Sequence, residues 1–418
     1  MRAMQYRLLS CRHFSSATSG AYNKRLQLFG WGDITGLPSV QSHNARQGVI
    51  WTPKQLRVPG LEQEGSHRLH RIASGWAHSL IAMSVKGKSV VYGCGLNNSG
   101  QLGIGDISKQ GPTEGFVKNL PMNARVLDMA CGREHSLVLS KMENGETKLF
   151  GFGSEMYGQL GSSRSKYDLP EGADTSVASE SSTPITVDGG KQVVAVACGL
   201  DHSVLLTDDH CVYAMGWGAD GQVGTGPGST SDKNTPTPVY GMNGRPVRKL
   251  TSSTDFTFCL MEDGSLWTWG NSEYGQCMLG RKIDRILEPV KVHFEKNILD
   301  VAAGGPFSLV LTDEGRIYTC GYGALGLGDE VIETLKPTLV KGIEDRVVKI
   351  YATTDYAAAI TEAGQLFTWG LGGWSGRLGH GGTDHAFVPR LVRFQEEKEV
   401  CVHDVALGIR HVLALCEL

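Results

Sequence analysis

One short pattern recurs seven times along this chain and constrains its fold more than any other feature. Four copies read Ala-x-Gly-x-x-His, and their histidines are His78, His135, His202 and His411. Three further copies carry an aromatic ring where the histidine would stand, namely Phe256, Phe307 and Tyr356. Repetition at this spacing in a sequence rich in short apolar runs predicts repeated β-sheet units rather than one continuous sheet.

A second segment also occurs seven times, but one of its copies is far along the chain from the first pattern that it should follow. In six units an apolar pair followed by x-x-Gly comes after the first pattern, as in Val91–Gly95. The seventh copy, Leu28–Gly32, stands near the beginning of the chain, whereas the pattern ending at His411 has no second half. A ring whose N-terminal and C-terminal strands share one unit explains both unmatched halves.

Proline gives a third marker with the same count, because one proline opens the next hydrophobic strand in every unit: Pro53, Pro112, Pro184, Pro238, Pro289, Pro337 and Pro389. Proline lacks the N–H that a ladder needs, so it belongs at a strand start or on an outer edge. Turn pairs such as Asp263-Gly264 separate the strands. With a period of roughly 50 to 60 residues, the sequence predicts an all-β, seven-bladed β-propeller over residues 26–418.

The first residues have a different composition. Arg2, Arg7 and Arg12 stand among several serines, and Asp33 is the first acidic residue of the chain. That composition is typical of a mitochondrial transit peptide, with cleavage expected after Phe14. We therefore expect residues 1–25 to be a transit peptide and linker, and the mature protein to reside in the mitochondrial matrix. The alternative is a basic tail with no targeting role.

Charge and cysteine usage exclude several classes of protein. The formal net charge of −3 is not typical of a general nucleic-acid binder, which clusters Lys and Arg to displace counterions. Cys131 and Cys198 share one position of the repeat, as do Cys94 and Cys320 in another, so we expect buried thiols rather than disulfides. No Cys-x-x-Cys pair, P-loop or long apolar stretch occurs. We expect no metal, no cofactor and no integral membrane segment.

The motifs resemble those of one known family. The units read Ala-Cys-Gly-x-x-His-Ser, then Val-Tyr-x-x-Gly, then Gly-Gln-Leu-Gly, as at Gly100–Gly103 and Gly158–Gly161. They are similar to the regulator-of-chromosome-condensation repeat family over Leu26 to Leu418. The segments Gly216–Gln222 and Trp269–Gln276, together with the transit peptide, resemble its mitochondrial branch.

The resemblance implies a propeller that works through protein contacts, and it leaves two functions open. The founder of the family is a guanine-nucleotide exchange factor for the small GTPase Ran. Its mitochondrial relatives are linked to exchange on the dynamin-like fusion GTPase of the inner membrane, which implies a peripheral association with that membrane. They are also linked to assembly of the mitochondrial ribosome's large subunit with its ribosomal RNA. We expect exchange activity, with a non-catalytic assembly scaffold as the alternative.

Few site residues can be carried over from the family. Asp201 and Glu134 match positions at which the nuclear members place acidic residues facing the GTPase, and His202 and His135 accompany them. Elsewhere that position holds Ala77, Pro306 or Arg410, so the fold does not require an acid there. The alternative is that these residues are ordinary turn residues. No hydrolytic or redox constellation was found.

One insertion stands out in length. Between Gly161 and Pro184 the second unit is extended by Ser162–Thr183, which is rich in serine and threonine. Long loops on a rigid scaffold commonly carry recognition, and the nuclear relative uses an insertion as a wedge against its partner. A low-complexity loop without function is the alternative.

Overall fold

The computed structural model describes residues 26–38, 48–59, 67–121, 123–166, 178–242, 244–396 and 399–418. The expected transit peptide and linker, residues 1–25, lies outside the described residues. Within them, 28 β-strands form seven four-stranded antiparallel sheets, and no α-helix is present. Short 3-10 turns occur at Ile34–Gly36, Asp188–Gly190 and Gly373–Ser375.

Each sheet is one blade, and in blades 1 to 6 the strands run in sequence order from the centre of the ring outwards. Blade 1 comprises β3 (His67–Ser74), β4 (His78–Val85), β5 (Lys88–Asn97) and β6 (Ser108–Phe116). Blade 2 comprises β7 (Arg125–Cys131), β8 (His135–Lys141), β9 (Thr147–Ser154) and β10 (Ala178–Ile185). Blade 3 comprises β11 (Val193–Cys198), β12 (His202–Thr207), β13 (Val212–Gly216) and β14 (Lys233–Pro238).

The next three blades repeat this order. Blade 4 comprises β15 (Val247–Ser253), β16 (Phe256–Met261), β17 (Leu266–Ser272) and β18 (Ile283–Val292). Blade 5 comprises β19 (Ile298–Ala303), β20 (Phe307–Thr312), β21 (Ile317–Tyr322) and β22 (Glu333–Leu339). Blade 6 comprises β23 (Val347–Ala352), β24 (Tyr356–Thr361), β25 (Leu366–Gly370) and β26 (Ala386–Leu391).

Blade 7 joins the two ends of the chain, which confirms the predicted closure. The C-terminal β27 (Cys401–Leu407) and β28 (His411–Glu417) form its inner half, and the N-terminal β1 (Gln27–Asp33) and β2 (Val49–Leu56) form its outer half. Strands β1 and β28 pair from Gln27 opposite Cys416 to Gly32 opposite His411. The N-terminal segment thus supplies two strands of blade 7, and β1 covers the edge of β28 that would otherwise be unpaired.

The prolines mark the outer edge of the ring, but they do not open strands as expected. Each lies inside, or at the end of, the outermost strand of its blade, for example Pro112 within β6 and Pro238 at the end of β14. These strands pair with a neighbour on one side only. A missing N–H costs little there, and proline also discourages pairing with a second chain.

Buried tryptophans fasten successive blades together. Trp269 of blade 4 is fully buried, and its Nε1–H donates to the carbonyl of Gln222 in blade 3 at 3.0 Å. A Cβ on Gly224 would lie 2.7 Å from this indole, so the Gly-Gln-x-Gly turn needs its glycine for close packing. Trp31 makes the equivalent bond from blade 7 to the Arg377 carbonyl of blade 6, at 2.9 Å.

Candidate functional site

The loops that carry the candidate residues all lie at one end of the propeller. Because neighbouring strands are antiparallel, the first-to-second and third-to-fourth strand loops of every blade leave at the same end, which we call the upper face. The first-to-second loops surround the mouth of the central channel and bond to one another. Arg133 N–H donates to the Leu200 carbonyl at 2.9 Å, and Leu200 N–H donates to the Thr254 carbonyl at 3.0 Å.

Asp201 lies on this inner ring of loops, in an ion pair that crosses from blade 3 to blade 2. Its carboxylate accepts from Nε of Arg133 at 3.2 Å and also from Nη2 of the same residue. The side chain of Asp201 is 15% exposed and that of Arg133 is 40% exposed. Burial raises the pKa of Asp201, and the Arg133 guanidinium opposes part of that shift. Asp201 is therefore accessible at the surface but already has a cationic partner.

Glu134 occupies the equivalent position in blade 2 and bonds to blade 1. Its Oε1 accepts from the amide of Asn98 and its Oε2 accepts from the Ser99 hydroxyl, both at 3.0 Å. Both partners are uncharged. The half-buried Glu134 therefore has no cationic partner among its contacts with the described residues at the upper face, unlike Asp201.

The repeat histidines lie beneath the loops and have no exposed surface. Nε2 of His135 lies 3.1 Å from the Ser203 hydroxyl, and Nε2 of His202 lies 2.8 Å from the Ser252 hydroxyl. Burial lowers the pKa of each of these two imidazoles to about 3, so both are neutral. Their partners are side chains of the next blade rather than backbone groups. They can position the loops that carry Glu134 and Asp201, but they do not reach a partner themselves.

Sequence reasoning missed two acids at the same position of the repeat. Asp255 precedes Phe256 and Asp355 precedes Tyr356, so both stand in copies where an aromatic ring replaces the histidine. Asp355 accepts from Nη1 of Arg377 at 3.3 Å. The alignment of the copies on the aromatic ring already places both acids at the position of Glu134 and Asp201, so the signal was present in the sequence. The position is thus acidic in blades 2, 3, 4 and 6.

Asp255 differs from the other three acids because its carboxylate has no hydrogen-bond or ion-pair partner among the described residues. Burial and, to a lesser extent, the nearby carboxylates of Asp220, Asp201 and Glu273 together raise its pKa to about 6, against an opposing effect of Arg133. Asp220 and Glu273 belong to third-to-fourth strand loops of blades 3 and 4. We call the five residues Glu134, Asp201, Asp220, Asp255 and Glu273 the acidic arc.

The insertion of blade 2 begins and ends on the upper face. Near its beginning, Nη2 of Arg164 lies 3.3 Å from the almost fully buried Glu155 carboxylate, and Ser163 N–H donates to the Asn234 carbonyl at 2.9 Å. Residues 167–177 lie outside the described residues. From Ala178 the insertion is already part of β10, so it is only partly a loop.

The remaining expectations concern thiols, metals and membranes. All nine cysteines in the described ranges are unpaired, and burial raises the pKa of Cys131 to about 12 and keeps its thiol protonated. No three His, Cys, Asp or Glu side chains of the described part converge as a metal site would require. No helix among the described residues is long and apolar enough to cross a membrane.

The fold and its repeat agree with comparisons to known proteins. Residues 172–414 match the family model of the RCC1-like domain, and residues 89–139 match that of the regulator of chromosome condensation (RCC1) repeat. The mouse RCC1-like G exchanging factor-like protein is 33% identical, over 94% of this chain and 87% of its own length. The human protein of that name is 32% identical over 85% of this chain. The chain belongs to the RCC1 repeat family.

Solved structures show the same architecture. Human WBSCR16 superposes with a TM-score of 0.77 at 29% identity, covering 94% of this chain and 100% of that one. Yeast RCC1 (Prp20), in its complex with Kap60, superposes with a TM-score of 0.76 at 20% identity, covering 100% of this chain and 95% of that one. The second likeness concerns the fold alone.

Proposed function

We propose that this chain is a guanine-nucleotide exchange factor for a mitochondrial GTPase, the dynamin-like fusion GTPase of the inner membrane. The acidic arc is the observation that carries the proposal. Three of its five carboxylates lie in equivalent loops around one channel mouth, although Ala77, Pro306 and Arg410 show that the fold accepts other residues there. The mouse and human relatives, which are named RCC1-like G exchanging factor-like protein, support the same class.

The chemistry of a GTPase explains why carboxylates suit this task. Its nucleotide site holds phosphates with a lysine, a run of backbone N–H groups and Mg²⁺, so it is strongly cationic once the nucleotide has left. A rigid ring of carboxylates can compete with the phosphates for those groups and thereby stabilise the nucleotide-free state. Asp255 is the best placed, because its carboxylate has no intramolecular partner to give up in the described structure. Asp201 would first have to exchange Arg133 for a group on the GTPase.

Location in the mitochondrial matrix belongs to the same proposal. Its support is the composition of residues 1–25, with three arginines in the first twelve positions and no acidic residue before Asp33. A peripheral association with the inner membrane would follow from binding a GTPase that resides there. The protein would then reach the membrane through its partner.

The alternative function is a non-catalytic scaffold for assembly of the mitochondrial ribosome's large subunit. The intramolecular bonds of Glu134 and Asp201 favour it, because residues that only join blades would show the same contacts. The acidic arc would repel the phosphates of ribosomal RNA. A scaffold would therefore contact ribosomal proteins at the upper face and RNA elsewhere.

Release of a fluorescent guanine nucleotide from the purified GTPase distinguishes the two functions. We expect the wild-type propeller to accelerate release, and Asp255→Asn to lower the maximal acceleration about tenfold, as for loss of one charged contact made in the transition state. Asp345→Asn is the matched control, because Asp345 is exposed in a loop at the opposite end of the propeller. No acceleration by micromolar wild-type protein would leave only the scaffold.

A further inference from the structure

Two pairs of aromatic residues occupy equivalent places at two junctions of the ring. Tyr157 of blade 2 packs on Trp217 of blade 3 with ring centres 4.6 Å apart. Tyr274 of blade 4 packs on Tyr322 of blade 5 with ring centres 5.5 Å apart. In each pair the first ring precedes a Gly-Gln turn and the second follows the glycine that closes the third strand, as in Gly216-Trp217 and Gly321-Tyr322.

The pair between blades 2 and 3 is covered by a cation of the chain itself. Nζ of Lys166, at the start of the insertion, lies 4.3 Å from the ring centre of Tyr157 and 5.3 Å from that of Trp217. An ammonium group at this distance is attracted by the electron-rich ring faces. The Tyr157–Trp217 pair therefore holds a lysine ammonium group, which is a model for what an equivalent aromatic pair elsewhere in the ring can bind.

The pair between blades 4 and 5 has no such cover. Tyr274 is 42% exposed and Tyr322 is 40% exposed, and no lysine or arginine of the described residues lies over either ring. Blade 4 has no insertion comparable with that of blade 2. Exposed aromatic residues that touch one another mark interaction sites more often than isolated ones do.

The surroundings of this second pair favour a cation next to an apolar group. Glu273 precedes Tyr274, and Asp329 and Glu330 lie in the loop that follows Tyr322; all three are exposed and have no ion-pair partner in the described structure. The same loop presents Ile332, which is 59% exposed, and its carbonyl accepts from Gly323 N–H at 2.9 Å. The two loops that carry the aromatic pair therefore also carry unpaired carboxylates and one exposed aliphatic side chain.

We infer that the Tyr274–Tyr322 pair binds a lysine or arginine side chain of a protein partner, in the way that the Tyr157–Trp217 pair binds Lys166. Glu273 completes the site as a counter-charge, and Ile332 packs against an apolar neighbour of the bound cation. The inference rests on the proposed function for the identity of the partner, which is the GTPase. The pair acts in docking, because its two rings lie at third-to-fourth strand connections, outside the first-to-second loops that surround the channel mouth. Glu273 belongs both to this site and to the outer part of the acidic arc.

The experiment measures nucleotide release from the GTPase as a function of propeller concentration. The Tyr274→Leu/Tyr322→Leu double variant keeps apolar area but removes the ring faces. It should raise the half-saturating concentration about tenfold and leave the maximal rate unchanged. Tyr274→Phe/Tyr322→Phe keeps the ring faces and should stay within about twofold of wild type. Tyr240→Leu is the control, because Tyr240 is 55% exposed but follows β14 at the opposite end of its blade.

The outcomes separate this inference from the proposed function. If the wild-type protein does not accelerate release, the proposed function fails and the partner assignment falls with it. If the wild-type protein is active and the double leucine variant has an unchanged half-saturating concentration, the docking role of the two tyrosines is refuted, whereas the proposed exchange function is retained. A lower maximal rate with unchanged half-saturation would also overturn docking, because it would place the two rings at the nucleotide site. Thermal melting of each variant checks that the ring is intact.

Discussion

The Nε2–H group of His135 in blade 2 donates a hydrogen bond to the Oγ atom of Ser203 in blade 3, at 3.1 Å. The direction follows from Ser203, whose hydroxyl gives its own proton to the Gln159 carbonyl at 2.8 Å. His78 and Ser136 are related in the same way one junction earlier, at 2.9 Å. Nδ1 of each of these two imidazoles is buried without a hydrogen-bond partner, so its protonation would place an unpaired charge between the blades.

Acidification should therefore destabilise the propeller. Burial lowers the pKa of His78, His135 and His202 to about 3, against 6.5 in the unfolded chain. The unfolded state then binds more protons, so this stability is fully present above pH 6.5 and is lost as the pH falls towards 3. For each histidine, the free energy of unfolding should fall by up to about 1.4 kcal/mol per pH unit as the pH is lowered through that window. Urea unfolding at pH 7.5 and 5.5 measures the effect, and His135→Gln should reduce it; equal midpoints would contradict it.

Asp255→Asn should stabilise the fold at neutral pH while impairing exchange. The folded pKa of Asp255 is raised to about 6, so its stabilising contribution is complete below its unfolded value and is lost as the pH rises through 6. Above that pH the ionised carboxylate is destabilising, and removing its charge should gain about 1 kcal/mol after allowance for partial exposure. Because pH 5 lies between the unfolded and the folded pKa of this carboxyl, thermal melts should show a gain at pH 8 that is clearly larger than the gain at pH 5. An equal shift at both pH values would argue against this origin.

Gly132→Ala should be strongly destabilising. A Cβ on Gly132 would lie 2.2 Å from Cε1 of His135 and 2.7 Å from the carbonyl oxygen of Gly199, and neither group has room to move. We expect a loss of about 2–3 kcal/mol in chemical denaturation. Gly382→Ala is the control, because a Cβ there meets nothing within 4 Å. Similar losses in the two variants would refute the steric explanation.

Deletion of Leu26–Gly36 should open the ring. It removes β1, which pairs with β2 on one side and β28 on the other, together with the fully buried Phe29 and Trp31. Loss of one such aromatic side chain costs about 3–5 kcal/mol, so we expect the truncated protein to melt far below the parent or to aggregate. Deletion of residues 1–25 is the comparison and should leave the melting temperature unchanged. A parent-like melt of the longer deletion would contradict closure through β1.

Import should depend on the N-terminal residues alone. A chain lacking residues 1–22 loses Arg2, Arg7 and Arg12, the positive charges that the import machinery would read. It should fold normally but remain in the cytosol, as fractionation and fluorescence microscopy would show. Replacing the three arginines by glutamine in the full chain should have the same effect. Matrix localisation of either variant would rule out this transit peptide.

The number of blades and the closure of the ring could be predicted from the sequence alone. These properties depend on local patterns, because glycine-tipped turns, strand-length apolar runs and one edge proline recur in every unit. The unmatched halves at Leu28–Gly32 and His411 even indicated which blade joins the chain ends. Closure follows from the count of repeats and does not depend on side-chain detail.

The side-chain contacts between blades could not be predicted from the sequence and are seen only in the folded ring. Asp201 and Arg133 are 68 residues apart, and Tyr274 and Tyr322 belong to different units, so no local pattern relates them. Their contacts depend on how far each blade is rotated against the next, which is a property of the closed ring. The same geometry places Asp255 beside three other carboxylates and leaves it without a partner among the described residues. The repeat is thus recognisable in the sequence, whereas the side-chain contacts between neighbouring blades form only in the closed ring.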